Sequence, residues 1–180
     1  MRTLKSILQS AAAAAVMVFF AASLGCQAQQ ERADDSAFVP QWGVCTGLEN
    51  VPKLQAAGYD YIELGVQRFL APQSSRADFE KNLQEAQSLK APLYACNSFL
   101  PSSLICVGPA ADHPAILSYA ETAFQRAQTA GIGLIVFGSG SSRKIPDGFD
   151  PAQARQQFVQ LLKKMGPIAE KYGVIIAIEP

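Results

Sequence analysis

The chain has 180 residues, with 15 Lys and Arg against 15 Asp and Glu and a hydrophobic share of 49%. Balanced charge without a basic run gives no electrostatic footprint for nucleic acid, so no nucleic-acid partner is expected. The roughly 140 residues from Pro40 onward suffice for one domain with a sizeable core.

Arg2 and Lys5 precede an apolar stretch from Ala11 to Leu24, and Gly25 follows before Cys26. A basic region, a short apolar region and a small-residue cleavage site, in that order, read as a secretory signal peptide over residues 1–25. The stretch is shorter than the ~20 residues that span a bilayer. Ser23-Leu24-Gly25-Cys26 resembles a bacterial lipobox, in which the cysteine carries lipid and becomes the mature N-terminus, although Ser23 stands where that pattern has Leu. Cleavage after Ala28 is the competing reading. Residues 26–39 are polar and aperiodic and read as a flexible linker. The expected location is therefore the periplasm or the outer membrane, with membrane contact through the lipid alone.

From residue 40, strand and helix signals alternate. Gln41–Cys45 is a short apolar strand, and Leu48, Val51 and Leu54 mark a helix that stops at Gly58. Tyr59–Gly65 is a second strand. Arg76–Leu89 is helical, with Phe79, Leu83, Ala86 and Leu89 on one stripe. Pro92–Asn97 is a third strand. Asp112 caps a helix with Pro114 inside its start and Gly131 after its end. Ile132–Phe137 is the fourth strand. Asp150 and Pro151 open a helix that turns Phe158, Leu161, Leu162 and Met165 inward, and Val174–Ile178 is the fifth strand.

Helix, glycine and apolar strand recur at Ala57-Gly58, Ala130-Gly131 and Tyr172-Gly173. Near-continuous apolar strands between helices mean a parallel sheet. The turns after helices are short. The loops after strands are long and hold the unusual residues, which is the asymmetry of a (β/α)8 barrel. No GxGxxG follows the first strand, which argues against a dinucleotide-binding open sheet. The expected α/β fold is the N-terminal part of a TIM barrel, about five strands and four helices over residues 40–180, incomplete beside the ~250 residues of a whole barrel. The fifth strand closes on Glu179-Pro180, so one carboxylate is delivered to the mouth and the remaining site groups are expected beyond it.

The phrases Ala57-Gly58-Tyr59-Asp60-Tyr61-Ile62-Glu63-Leu64, Ile135-Val136-Phe137-Gly138-Ser139-Gly140 and Ile176-Ala177-Ile178-Glu179-Pro180 resemble the sugar phosphate isomerase/epimerase family, the xylose isomerase-like barrels. The resemblance spans Pro40 to Pro180 and implies a divalent metal, Mn²⁺, Mg²⁺, Co²⁺ or Zn²⁺, held by a Glu at the fifth strand and by ligands from later strands. Glu179 matches that first ligand. The resemblance gives it a second role as acid or base in proton transfer beside a sugar carbonyl.

Other strand-end residues join it as expectations. Glu63 is a second catalytic carboxylate, or the partner of an Arg such as Arg68. Asn97, Ser139 and Arg143 are candidates for substrate hydroxyls or an anion, with a plain loop as the alternative for the segment that carries Ser139 and Arg143. His113, the single histidine, reads as a solvated helix start. Trp42, Tyr61, Phe69 and Phe99 could line a sugar face or simply pack in the core. Cys96 and Cys106 could join in an oxidising compartment or remain buried thiols.

Three activities follow from this reading. The leading one is a metal-dependent sugar isomerase or epimerase, present here as an inactive fragment that binds no metal tightly. The others are a lyase or hydratase of oxidised glycosides and a non-catalytic carbohydrate-binding lipoprotein. The partner in each case is a small carbohydrate, and a homo-oligomer is left open. Mass spectrometry of membrane-fraction protein is expected to find lipid on an N-terminal Cys26. An unmodified N-terminus at Gln29 would exclude it.

Overall fold

Four of the five parallel strands, all but the first in chain order, are reached from the end of a helix, each time by the same turn. The computed structural model describes residues 39–180. The signal, Cys26 and the linker up to residue 38 lie outside the described residues. The strands are β1 (Gly43–Cys45), β2 (Tyr61–Gly65), β3 (Leu93–Asn97), β4 (Leu134–Phe137) and β5 (Ile175–Ile178). A 3-10 turn at Leu48–Asn50 leads into α1 (Val51–Ala56). Then come α2 (Val66–Phe69), α3 (Arg76–Ser88), α4 (His113–Thr129), α5 (Gly140–Arg143) and α6 (Pro151–Lys171). The strands pair in chain order, every pair parallel, so the described residues form an α/β partial TIM barrel.

After α1, α4 and α6 the chain enters the left-handed region at Gly58, Gly131 and Gly173. The next amide then reaches back to the helix: Tyr59 N to Leu54 O at 3.1 Å, Ile132 N to Ala127 O at 2.9 Å, Val174 N to Ala169 O at 2.9 Å. This is the Schellman termination, which satisfies the last carbonyls and reverses the chain within two residues. After α3 the same turn is made by Lys90 at φ 50°, with Ala91 N on Ala86 O at 2.9 Å.

The four expected helices are present, and three of them have starts set by side-chain caps. Ser75 and Asp78 form a capping box, Asp112 accepts from Ala115 N, and Asp150 accepts from Ala152 N. Two further helical turns, α2 and α5, occupy stretches expected to be loops, because four residues are too few for helical periodicity to show in a sequence. β1 is shorter than expected. Trp42 does not join it, pairing instead with Asp60 through both backbone and carboxylate and remaining 67% exposed.

The sheet has two unlike faces. Ile62, Leu64, Cys96, Ile135 and Phe137 are buried beneath the helices. There Phe99 stacks on Phe124 at 5.7 Å and meets the edge of Phe137 at 5.2 Å, while Tyr119 donates its hydroxyl to Phe99 O at 2.9 Å. Phe69 and Phe99 are therefore core residues and form no apolar wall with Trp42. Cys96 and Cys106 are buried free thiols with no disulfide between them. Burial pushes them up, Cys96 to about 12 and Cys106 to about 11. The alternate strand positions Glu63, Asn97 and Val136 face the other way, into the space a barrel encloses.

Truncating Phe99 removes the ring shared by three aromatic neighbours. Phe99→Ala is expected to destabilise the domain by about 3–5 kcal/mol, read as a lower urea midpoint; an unchanged midpoint would show that this cluster is not the core.

Candidate functional site at the strand ends

Parallel strands send all their C-termini to one side, so residues far apart in sequence meet there. A cavity of about 490 Å³ opens at this side, lined by Cys45 from β1, Glu63 from β2, Asn97 and Ser98 from β3, and Glu179 after β5, among others. Val136, Gly138 and the serines Ser139 and Ser141 supply the wall from β4. Its size falls within the ~300–1,000 Å³ usual for small-molecule sites.

Four of the five expected site residues, Glu63, Asn97, Ser139 and Glu179, line this cavity together. Glu179 extends the β4–β5 ladder, its amide donating to Phe137 O at 3.3 Å. Its carboxylate lies against the bare Cα of Gly138, and a Cβ there would require the carboxylate to move. Ser139 follows in the left-handed region at φ 42°, ψ 49°. Its Oγ accepts from Leu100 N at 2.9 Å, which leaves the hydroxyl proton free to donate to a ligand. Asn97 Oδ1 accepts from Ser98 Oγ at 3.1 Å, and Ser98 too has positive φ, at 51°. Gln67 donates to Ser98 O and Leu100 O, fixing the loop behind them. Two non-glycine residues in a strained backbone region thus stand at the mouth, where strain most often accompanies function.

Arg143 is placed differently from the expectation. The helical turn α5 carries it out of the mouth, and its guanidinium lies over the rings of Phe137 at 5.8 Å and Phe158 at 5.6 Å. Glu63 makes no ion pair with Arg68, which lines a separate cavity beside Glu49 and Glu85. His113 sits at the first turn of α4 with Nε2 2.9 Å from Cys106 O, away from the mouth.

Cys45 was not singled out from the sequence. The signal was available, because it ends β1 as Glu63 and Asn97 mark β2 and β3, and it sits in register with Glu63. The residue is exposed, yet its thiol is partly shielded where it meets Glu63 and Asn97. Its pKa is raised, first by this loss of hydration and then by the negative charge of Glu63, while the hydrogen bond from Asn97 acts in the opposite direction.

The donor set also tests a divalent ion. A hard cation takes six or more oxygen ligands, several of them carboxylates. Among the described residues no three His, Cys, Asp or Glu side chains stand close enough to share one ion. Glu63 and Glu179 are the carboxylates that line the cavity and could contribute to holding such an ion.

The family described as a xylose isomerase-like TIM barrel matches residues 51–180, and the chain belongs to it. No curated protein sequence matches the chain. Among solved structures it is similar to a D-psicose 3-epimerase crystallised in the presence of D-fructose, at 16% identity and a TM-score of 0.62, over 77% of this chain and 52% of that one. It is also similar to apo 3-keto-D-glucoside 4-epimerase from E. coli, at 14% identity and a TM-score of 0.59, over 79% and 56%. A third is the mannonate dehydratase of Streptococcus suis serotype 2, at 11% identity and a TM-score of 0.57, over 79% and 54%. At such identities the likeness is one of fold. The chain spans about half the length of these structures.

The Cys45–Glu63 contact makes a chemical prediction. With its pKa raised, Cys45 holds less thiolate than free cysteine at pH 8 and reacts more slowly with iodoacetamide. Glu63→Gln removes the charge, lowers that pKa and should speed alkylation several-fold in a Cys26→Ser background, while Cys96 and Cys106 stay unmodified. Peptide mapping measures this, and equal rates with and without Glu63 would contradict the geometry.

Proposed function

We propose that this domain serves a sugar isomerase or epimerase that moves a proton beside a carbonyl. The observation that carries the reading is the single cavity in which two carboxylates, Glu63 and Glu179, share a polar wall with Asn97 and Ser139. Proton transfer beside a carbonyl needs a positioned base and an acid that returns the proton. Glu179 takes the proton in this proposal, and Glu63 receives a substrate hydroxyl or supplies the proton on the opposite face. The Ser139 hydroxyl and the Asn97 amide hold neighbouring hydroxyls, whose loss would leave polar groups of the site unpaired. The epimerases among the similar folds act on sugars of this class by their names.

A second reading rests on the likeness to a dehydratase. The same base, removing the same proton, drives elimination when a leaving group stands on the next carbon. The proposal also includes export, with the domain tethered through Cys26 and residues 26–39, in line with the order of basic, apolar and small residues before it.

Incubating D-fructose or D-tagatose in D₂O with the longest chain the gene encodes is expected to place deuterium beside the carbonyl and to yield the epimer. Glu179→Gln should slow exchange about 100-fold or more, followed by proton NMR. A keto-deoxy product from an aldonate would favour the elimination reading. Full exchange in the Glu179→Gln protein would overturn the assignment of the base.

A further inference from the structure

Arg143 is left over from the mouth, and its surroundings are unusual for an arginine. Arg126, by contrast, is fully used: it donates to the carbonyls of Leu70, Ala71 and Ser74 and lies over the Phe79 ring. The guanidinium of Arg143 rests on Phe137 and Phe158, and its Nε is buried with no acceptor. Ion pairs among the described residues are confined to Arg76–Glu80 and Lys171–Glu121, so no carboxylate compensates Arg143. Asp150, which precedes α6, is committed to the helix cap through Ala152 N. A separate cavity of about 200 Å³ lies here, where Arg143 and Arg155 join a wall of Val107, Ile145, Ala154 and Phe158.

We propose that this cavity is a binding site for a small organic monocarboxylate, distinct from the strand-end mouth. Two rings hold the guanidinium plane before any ligand arrives. A carboxylate matches the planar fork of one guanidinium with two parallel hydrogen bonds. The remaining wall is apolar and suits a hydrocarbon body. A phosphate would bring further charged oxygens against the apolar Val107, Ile145 and Phe158. The small volume, below the usual range for drug-sized ligands, limits the body to a short chain or one ring. Arg155 is exposed at the rim and adds attraction for the anion. The site is linked to the mouth through one helical turn: Gly140 and Ser141 of α5 line the mouth, and Arg143 ends it at the second cavity. The inference stands independently of the sugar chemistry.

Benzoate is the probe. Titrated into the full chain labelled with ¹⁵N, it should shift the Val107, Ile145 and Phe158 amides saturably and leave those of Glu63 and Asn97 unmoved. Benzyl alcohol, with the same ring and no charge, should bind at least tenfold more weakly, and inorganic phosphate should not compete. Arg143→Lys keeps the charge and removes the fork, and should weaken benzoate about tenfold; Arg155→Ala, at an exposed position that cannot threaten folding, should weaken it several-fold. Equal binding of benzoate and benzyl alcohol, phosphate binding in preference to benzoate, no saturable shift, or unchanged affinity in the Arg155→Ala protein would each overturn the proposal.

Discussion

The helix-to-strand turn is the constraint on which the rest of this structure depends. Each Schellman turn ends a helix, satisfies its last carbonyls and starts a strand within about two residues. No length remains on that side of the sheet for a binding loop. All variable length is pushed to the opposite side, where the segments between β3 and α4 and between β4 and α6 run. The cavity with two carboxylates forms there because the turns on the other side are so tight. A residue that could not take the left-handed conformation at Gly131 or Gly173 would lengthen the turn and slide the next strand out of register. It would then exchange the core face of β4 or β5 for the mouth face.

The two long segments are built as one piece. Leu100 N donates to Ser139 Oγ, Ser142 Oγ donates to Pro101 O at 2.9 Å, and Cys106 N donates to Ser142 O at 2.8 Å. Gln157 on α6 then holds Gly108 through both its amide and its carbonyl. Ser142 is a buried polar residue within this bracing, and its hydroxyl is satisfied, as buried polar groups must be. Asn97 at the end of β3 and Ser139 after β4 therefore adjoin loops pinned to the helix layer, so the side chains offered to a ligand are positioned before it binds.

Much of this was legible in the sequence, and what was not has a physical reason in each case. The caps Asp112 and Asp150 and the glycines 58, 131 and 173 are residues with one strong local preference, so they read directly. Lys90 performs a glycine's turn with a side chain that carries no such signal, and only the Ala91 to Ala86 bond discloses it. Glu63, Asn97, Ser139 and Glu179 were readable as polar ends of apolar strands. Cys45 occupies the same kind of position but counts as apolar by composition, so it passed as ordinary strand. Arg143 was assigned to the mouth by its distance along the chain from β4. A single turn of helix reversed its direction, and two phenyl faces, placed by tertiary packing alone, hold it on the far side.

The backbone strain is distributed in a way that composition could not show. Of the non-glycine residues with positive φ among those described, Lys90 follows a helix end and Ala71 follows α2, where the turn itself demands the conformation. Ser98 and Ser139 follow strands β3 and β4, at the mouth. A left-handed non-glycine residue costs on the order of 1–3 kcal/mol. Glycine would remove that cost at either place. At Ser139 the side chain is what glycine would forfeit: its oxygen receives Leu100 N and its proton remains available in the cavity. At Ser98 the hydroxyl orients the Asn97 carboxamide. In both places stability is given up for a hydroxyl in a fixed position, and both places border the same two carboxylates.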